Sequence, residues 1–333
     1  MNKRVSIREV AKKAKVSPGT VSNFLNNSTP VNADTRERIV KAIDLLGYQR
    51  NEIASSLRRA QTNSIGLILP DIRNPFYADL YYSIENAALE NGYTLIYGNS
   101  DYSLSKIKHY LKYFSSRRVD SIILSANYSF RLDAFRDLID TPMLVFEPHR
   151  DIENYPSIGI DNQAGSRKIT EYLIDKGHKD IAILTSSKKS PRYKGYEQAL
   201  NYAGIEINPK LVHEFGPFTQ DLFSQGYSAM NDLLSQKQKF SACFVISDML
   251  AIGAMSAIKS KGMKIPEDIA IAGFDDIPFS QVVEPALTTI AQPVTQMGLE
   301  IFNTCMEMVK NKNPRMLSGI RYFDTQLIIR ESA

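Results

Sequence analysis

The sequence predicts two kinds of fold in one chain: a small all-α head, and a larger α/β body with two doubly wound parallel sheets. Three observations support this prediction. The 333 residues exceed what one ordinary core accommodates. Apolar residues recur at helical spacing up to about residue 47, between clear start and stop signals. From Ser64 onward, short apolar runs alternate with helical patterns.

Charge is distributed unevenly between these two parts. Residues 1–60 contain 12 Lys and Arg against 5 Asp and Glu, a net charge of +7, and the rest of the chain carries −3. A basic segment joined to a near-neutral body is typical of a module that binds a polyanion such as nucleic acid. A solvated basic surface without a partner is the alternative.

The first helix is predicted to begin after Ser6. Ser6 and Glu9 form a capping box, in which the serine hydroxyl and the glutamate carboxylate each accept a backbone N–H near the helix start. Residues at helical spacing then give the helix one apolar face. They are Ile7, Val10, Ala11 and Ala14.

A second helix is predicted directly after a short turn at residues 15–16. Ser17 is a good N-cap and Pro18 a good first helical residue. The inner face is apolar: Val21, Phe24 and Leu25. The outer face is short and rich in hydrogen-bonding groups, as a helix that enters a major groove requires. It consists of Pro18, Gly19, Thr20, Ser22, Asn23 and Asn26.

A third helix over residues 33–46 completes the head, with Gly47 as its C-terminal stop. Its predicted inward residues are Ile39, Val40, Ile43 and Leu46. Three short helices with a tight turn between the first two describe a helix-turn-helix. Another small helical bundle would give the same spacing, but the basic charge favours DNA binding.

The head resembles the LacI/GalR family of bacterial repressors. The similarity runs through residues 7–11, 16–26, 35–39, 42–43 and 46–48, and it continues along the whole chain. It implies that Pro18, Gly19 and Asn23 face base edges. Phosphate contacts are implied for Ser6, Ser17, Thr20, Ser22 and Asn26.

Position 23 departs from the family pattern, because Asn replaces the usual Arg. Arg favours guanine, whereas Asn pairs best with adenine and is shorter. Pro18 and Gly19 offer few hydrogen-bond donors, so few direct contacts with base edges are available at these positions. We therefore expect an altered operator half-site and a larger share of shape readout.

Residues 50–61 resemble the family's hinge helix, which orders on operator binding and is too short to hold alone in water. The resemblance assigns minor-groove contacts to Ala54, Leu57 and Arg58, with Leu57 as the wedge that kinks the duplex. The alternative is that Leu57 is a linker residue packed on the body. Arg50 stands where the family often has Pro.

In the body, two series of apolar runs predict two lobes. Strands are expected near residues 65–69, 94–97, 122–124 and 143–146, and again near 181–184, 243–246 and 269–272. The resemblance implies a bilobed architecture like that of periplasmic sugar-binding proteins. The N-lobe would comprise about 62–161 plus 291–323, and the C-lobe about 162–290 plus 324–333.

The full predicted architecture is a helix-turn-helix head at 1–49, a hinge helix at 50–61 and an effector-binding and dimerisation domain at 62–333. Ligands of parallel α/β folds bind at the carboxyl ends of strands, which here means the cleft between the lobes. The effector contacts expected from this rule and from the family pattern are Asp71, Phe76, Asp161, Arg192, Phe218, Ser247, Asp248 and Asp275.

These candidates differ in their alternatives. Asp161 and Asp248 each precede a helix and can serve as helix caps. Phe76 and Phe218 can be ordinary core aromatics. Arg192 and Asp275 correspond to the family's effector clamp, a fork of donors beside an acceptor. Ser247 stands where sugar-sensing relatives usually have Asn.

We therefore expect a cytoplasmic, homodimeric transcriptional regulator, a repressor of the family's usual kind, which binds near-palindromic operator DNA. Its effector is expected to be a sugar or sugar phosphate, with a purine corepressor or a phosphorylated partner protein as alternatives. An enzyme is disfavoured because the common catalytic motifs are missing. A periplasmic binding protein is disfavoured by the basic head and the lack of a signal peptide.

No cofactor, metal site or membrane span is expected. The four His are scattered, and no apolar run is long enough to cross a bilayer. Cys243 and Cys305 lie in apolar runs and are expected to be small buried hydrophobes in a reducing compartment.

Overall fold

The computed structural model describes residues 5–26, 29–48, 61–126, 140–148, 155–218, 221–311 and 319–333. The chain divides into two compact units, Met1–Thr62 and Asn63–Ala333. We call them the head and the body and describe each by itself.

The head contains three helices in its described part: α1 (Ile7–Ala14), α2 (Pro18–Asn26) and α3 (Ala33–Leu46). The capping box of α1 is confirmed, since Ser6 Oγ accepts from Glu9 N and Ser6 N donates to the Glu9 carboxylate at 2.7 Å. At the start of α2, Thr20 N donates to Ser17 Oγ at 3.0 Å. Gly47 ends α3 with a φ of 59°, a left-handed geometry that glycine adopts without strain.

A small apolar core holds these helices together. Its fully buried members come from all three helices: Val10, Ala11, Ala14, Val21, Ile39 and Ala42. The prediction that Val40 points inward is wrong, because Val40 is 40% exposed. The buried row on α3 follows Thr35, Ile39 and Ala42 at spacings of four and three, which places position 40 outside this row.

The first lobe of the body is built on a parallel sheet with the order β11-β5-β4-β3-β1-β2 among the described strands. The strands are β1 (Ser64–Leu69), β2 (Thr94–Asn99), β3 (Ser121–Ser125), β4 (Met143–Phe146), β5 (Pro156–Ile160) and β11 (Gly319–Phe323). The helices are α4 (Pro75–Glu90), α5 (Leu104–Arg117) and α10 (Val294–Lys310). Strands β3, β4 and β5 are buried along their whole length, as expected where helices cover both faces of a parallel sheet.

The second lobe has a parallel sheet with the order β7-β6-β8-β9 among the described strands. The strands are β6 (Ile181–Thr185), β7 (Val212–Glu214), β8 (Ala242–Val245) and β9 (Ala270–Ala272). The helices are α6 (Asn162–Asp175), α7 (Pro191–Tyr202), α8 (Leu222–Ser235) and α9 (Asp248–Ser260). An antiparallel pair, β10 (Thr289–Ala291) and β12 (Gln326–Ile328), lies beside them.

The chain returns to the first lobe after building the second. Helix α10 packs on α4, and β11 pairs in parallel with β5, whereas β12 pairs with β10. The predicted fold class, a helical head with a two-sheet α/β body, is therefore confirmed.

Both cysteines are buried, Cys243 in β8 and Cys305 in α10. Burial raises the pKa of each thiol, that of Cys305 to about 12, so both remain protonated. In the described part of the chain, no helix combines the length and the apolar character that crossing a membrane requires.

Candidate functional site

The candidate site of the body is a cavity between the two lobes, at the carboxyl ends of the parallel strands. Its empty volume, counted together with the open mouth, is about 690 Å³. Segments after β1, β2 and β4 contribute from the first lobe, and the starts of α6, α7 and α9 from the second. The described lining residues are Asn74, Phe76, Tyr77, Tyr102, Glu147, Pro148, Asn162, Ser186, Ser190, Pro191, Arg192, Phe218, Leu222, Ile246, Ser247 and Asp275.

Arg192 occupies the first turn of α7 and is held from several sides. Its Nε donates to Asn162 Oδ1 at 2.7 Å and its Nη1 to the carbonyl oxygen of Ile246. Its guanidinium carbon lies 3.7 Å from the ring centre of Phe274. The guanidinium therefore has a fixed orientation, as a clamp for a ligand requires.

Close packing of α6 against α7 makes this contact with Asn162 possible. A Cβ on Gly195 would lie 2.2 Å from the carbonyl oxygen of Gln163, so a larger residue would push the two helices apart. Glycine at this position lets the first turns of both helices reach the cavity together. Gly195 therefore helps to position Arg192, because its lack of a side chain lets α6 and α7 pack closely.

Asp275 follows β9 and faces Arg192. Its Oδ1 lies 3.4 Å from Arg192 Nη2 and accepts from Gln292 Nε2 at 2.8 Å. Its backbone N–H donates to the carbonyl oxygen of Ile290, with φ at 123°. Burial raises the pKa of Asp275 to about 7, although Arg192 opposes the shift.

Glu147 is a second buried carboxylate, placed directly after β4. Its side chain accepts from the hydroxyl of Tyr77 at 3.3 Å. Only 8% of the residue is exposed, and its backbone has a φ of 50°. Burial raises the pKa of Glu147, while Arg192 and the Tyr77 hydrogen bond oppose the shift.

Aromatic rings form the walls of the cavity. Phe76 meets Tyr77 edge to face, with ring centres 5.1 Å apart. Tyr102, from the first lobe, stacks on Phe218, from the second, at 5.6 Å and an interplanar angle of 25°. This stacked pair joins the lobes at the cavity, which suits recognition of the flat face of a ring.

The structure brings together part of the set predicted from the sequence. Phe76, Arg192, Phe218, Ser247 and Asp275 all line the cavity. Three predicted carboxylates do not, and each has a local partner instead. Asp71 forms a two-point ion pair with Arg73, at 2.9 and 2.7 Å. Asp161 is the N-cap of α6, where it accepts from Ala164 N at 2.9 Å, so the alternative of a helix cap is confirmed.

Asp248 is fully buried away from the cavity. Its carboxylate accepts from Ile277 N at 3.0 Å, Ser280 Oγ at 2.7 Å and Thr289 Oγ1 at 2.6 Å. These bonds connect the start of α9 to the segment after β9 and to β10. Asp248 therefore supports the loop that bears Asp275, and it is not among the described residues that line the cavity.

Several residues that line the cavity were not predicted from the sequence. Glu147 was detectable, because it directly follows a predicted buried strand, the same signal that identified Asp275. Asn162 was detectable beside Asp161, on the same strand-to-helix turn. Tyr102 offers no such signal, because it stands three residues after the end of β2, in a loop whose path the sequence does not define.

In the head, α2 presents the predicted DNA-facing residues. Pro18, Gly19 and Asn23 are exposed, and Thr20 and Ser22 are partly exposed. Ser6 and Ser17 are exposed and cap their helices. The side chain of Asn26 and the predicted hinge contacts Ala54, Leu57 and Arg58 lie outside the described residues.

Comparison with known proteins gives two family matches. Residues 6–51 match bacterial regulatory proteins of the lacI family, and residues 62–325 match periplasmic binding proteins and the sugar binding domain of the LacI family. The HTH-type transcriptional repressor PurR of Histophilus somni is 34% identical over 98% of both chains.

Two solved structures extend the likeness. The Lac repressor bound to ONPG in its repressed state is 25% identical, with a TM-score of 0.87 over 99% of this chain and 100% of that one. A complex of the transcriptional regulator CelR with cellobiose is 28% identical, with a TM-score of 0.71 over the same shares.

A helix-turn-helix head followed by a bilobed body with an interlobe cavity defines a ligand-responsive transcriptional regulator. The chain belongs to the LacI family of bacterial regulatory proteins. It is accordingly a DNA-binding regulator controlled by a small-molecule effector, as the resemblance of its sequence implied.

Proposed function

We propose that the protein is a homodimeric repressor of a near-palindromic operator, released or recruited by a sugar-type ligand in the interlobe cavity. One observation carries the proposal: the fixed pair Arg192 and Asp275 sits between aromatic walls in a cavity that spans two lobes. The proposed domains of the protein are the DNA-binding head at 1–49, the hinge at 50–61 and the effector-binding body at 62–333.

In the head, we assign base contacts to Pro18, Gly19 and Asn23, all exposed on α2. Their position at the start of a short polar helix supports this assignment. Phosphate contacts fall to Ser6, Ser17, Thr20, Ser22 and Asn26. In the hinge, Leu57 is the proposed minor-groove wedge, with Ala54 and Arg58 beside it.

In the body, we assign effector contacts to Phe76, Arg192, Phe218, Ser247 and Asp275, and add Glu147 and Asn162 from the structure. A sugar presents hydroxyl groups to acceptors and a ring face to aromatics, and the cavity offers both. The sugar-binding description of the matched family and the cellobiose complex of a relative support the same choice.

A purine is the second candidate effector. The stacked Tyr102 and Phe218 rings suit a flat heterocycle, and Asp275 suits its N–H groups. The 34% identity to a PurR repressor favours this candidate as well.

We further propose that the cavity binds its ligand without turnover and that the protein acts in the cytoplasm, where operator DNA is found. The match to bacterial regulatory proteins and to a transcriptional repressor supports both proposals. Within the described residues, no group of three or more His, Cys, Asp or Glu could hold a metal ion.

Regulation follows from lobe closure. A ligand that contacts both lobes binds the closed form more tightly than the open form, and only this difference in affinity changes DNA binding. Arg192 on one lobe and Glu147 on the other are placed to make such a contact. The hinge would order or melt as the first lobes of the two subunits shift.

The proposal is tested by selecting an operator from random duplexes with the full-length protein, then measuring its binding by fluorescence anisotropy with sugars and purines added. We expect a near-palindromic consensus and an affinity that changes with at least one ligand. Binding without preference for any duplex over random competitor at moderate salt would refute it.

A further inference from the structure

More acidic than basic side chains line the cavity. Its charged lining residues, within the part of the chain that the structure describes, are Glu147, Asp275 and Arg192. All three are largely shielded from solvent, since Glu147 and Asp275 are buried and the Arg192 side chain is 16% exposed. Two carboxylates therefore face one guanidinium where water screens charge poorly.

The positive charge is already engaged by the protein. The three side-chain nitrogens of Arg192 contact Asn162, the Ile246 carbonyl and Asp275. One face of its planar guanidinium is covered by the ring of Phe274. An incoming anion would compete with Asp275 for this guanidinium. It would also lie near Glu147, which Arg192 does not neutralise by an ion pair among the described contacts.

The carboxylates, in contrast, keep acceptor capacity. Both described side-chain contacts of Asp275 use Oδ1, and the described side-chain contact of Glu147 uses Oε2. Neither Asp275 Oδ2 nor Glu147 Oε1 is among the fully buried unpartnered atoms, so each retains accessible surface. The hydroxyl oxygen of Ser247, at the same cavity, is buried without a partner among the described residues.

The charge of the ligand determines whether the carboxylates of Glu147 and Asp275 can form hydrogen bonds with it. Hydroxyl and amino groups donate hydrogen bonds to carboxylate oxygens and add no negative charge. A phosphate adds about −1.5 to −2 charges and only acceptor oxygens, which Glu147 and Asp275 cannot match. Burial would make such like-charge contacts costly.

We propose that the effector is rich in hydrogen-bond donors and carries no phosphate or carboxylate, with Glu147 and Asp275 as the residues that exclude anions. The inference rests on the proposed function and narrows it, because it removes sugar phosphates and nucleotides from the candidates. Neutral sugars, amino sugars and nucleosides without phosphate remain, and all of them present donors to the two carboxylates.

The exclusion is tested first with inorganic phosphate as the probe. Full-length protein is heated in phosphate and in chloride at matched ionic strength, as the wild type and as the double variant Glu147→Gln, Asp275→Asn. The measurement is made at about pH 8.5, above the raised pKa of Asp275. With both carboxylates ionised, the three groups carry a net charge of −1 in the wild type and +1 in the double variant. We expect phosphate to raise its melting temperature by about 2 °C more than that of the wild type.

The basic charge of residues 1–60 also attracts phosphate, so the difference between the two proteins is the quantity measured. Glu171→Gln on the exposed face of α6 is the matched control. An equal phosphate effect on wild type and double variant would overturn the inference. So would a phosphate stabilisation of the wild type that Arg192→Ala removes, because it would place the anion in the cavity.

The ligand class is tested with a bacterial small-molecule extract split on an anion exchanger. We expect the unretained fraction, which holds neutral and cationic compounds, to change operator binding and the retained acids to leave it unchanged. Activity confined to the retained fraction overturns the inference while the proposed effector control stands. An inactive whole extract, with operator binding intact, counts against effector control itself, and the inference falls with it.

Discussion

Most candidate DNA-binding residues of the head lie within the nine positions of α2, whereas the body assembles its cavity from residues spread between 74 and 275. The predicted DNA-facing residues are thus neighbours in sequence, and α2 contains no charged side chain. The cavity is nonlocal, shielded and charged. This contrast implies that a single substitution on α2 removes one contact with DNA, whereas a single substitution in the cavity removes contacts with several neighbouring residues.

Arg192→Ala should give the largest effect. It removes a charged donor with three described contacts and leaves Asp275 buried without its counter-charge. Because hydrogen bonds to charged groups contribute about 1.5–3 kcal/mol each, we expect effector affinity to fall at least about 100-fold. Isothermal titration measures it, and Arg167→Ala on the exposed face of α6 is the control. A normal effector response would remove Arg192 from the binding site.

Asn23→Ala tests the local surface of the head. Loss of one base-contacting amide should weaken operator binding about 10-fold, since a good bidentate pair contributes about 1–3 kcal/mol of discrimination. Effector affinity should stay unchanged, because the substitution lies in the other unit. Anisotropy with the selected operator measures the effect, against Asn201→Ala on the exposed surface of α7. Unchanged operator affinity would contradict the assignment of position 23.

The burial of Asp275 in the cavity should make the free energy of unfolding depend on pH. Below about pH 4, Asp275 is protonated in both the folded and the unfolded chain. As the pH rises to about 7, the unfolded chain releases this proton while the folded protein retains it. The free energy of unfolding should therefore decrease across this range and level off above it.

Denaturant unfolding at about pH 5 and about pH 8 measures this dependence. Burial raises the pKa of Glu147 and of Asp248 as well, so these residues add to the same pH dependence. The wild type is therefore compared with Asp275→Asn, which removes the contribution of Asp275 alone. The variant should lose less stability between the two pH values. An equal loss in both proteins would show that Asp275 is ionised normally.

Asn32→Ala should lower the stability of the head by about 1 kcal/mol, the usual contribution of a helix N-cap. Asn32 Oδ1 accepts from Thr35 N at 2.8 Å at the start of α3. We expect a lower melting transition of the head, followed by circular dichroism, with effector affinity unaltered. Asn32→Ser, which preserves a capping oxygen, should restore most of the loss.

Tyr102→Ala should give the smallest effect. It removes a stacked ring that connects the two lobes through Phe218, and such pairs contribute about 0.5–1.5 kcal/mol. We expect effector affinity to fall about three-fold, mostly through faster dissociation, since the closed form loses a contact. Stopped-flow release measures it, and Tyr202→Ala, 72% exposed on α7, is the control. An effect of 100-fold would show that Tyr102 contacts the ligand directly.

Much of this contrast was predictable from the sequence. The capping box at Ser6, the start of α2 at Pro18 and the stop at Gly47 all depend on residues within four positions of each other. Arg192 and Asp275 were identified through the position of their strands and through the family pattern. Val40 was placed wrongly, because the spacing of apolar residues alone does not decide which side of the row faces the core.

The sequence by itself determined the class of the protein: helix caps and apolar periodicity are local properties, and they define the head and the succession of strands and helices along the body. Only the tertiary structure decided which carboxylates line the cavity. Asp71, Asp161 and Asp248 stand after strands as Asp275 and Glu147 do, but each of the three is satisfied by neighbouring donors. Burial against another lobe is a property of the folded chain, and it leaves Glu147 and Asp275 facing the cavity.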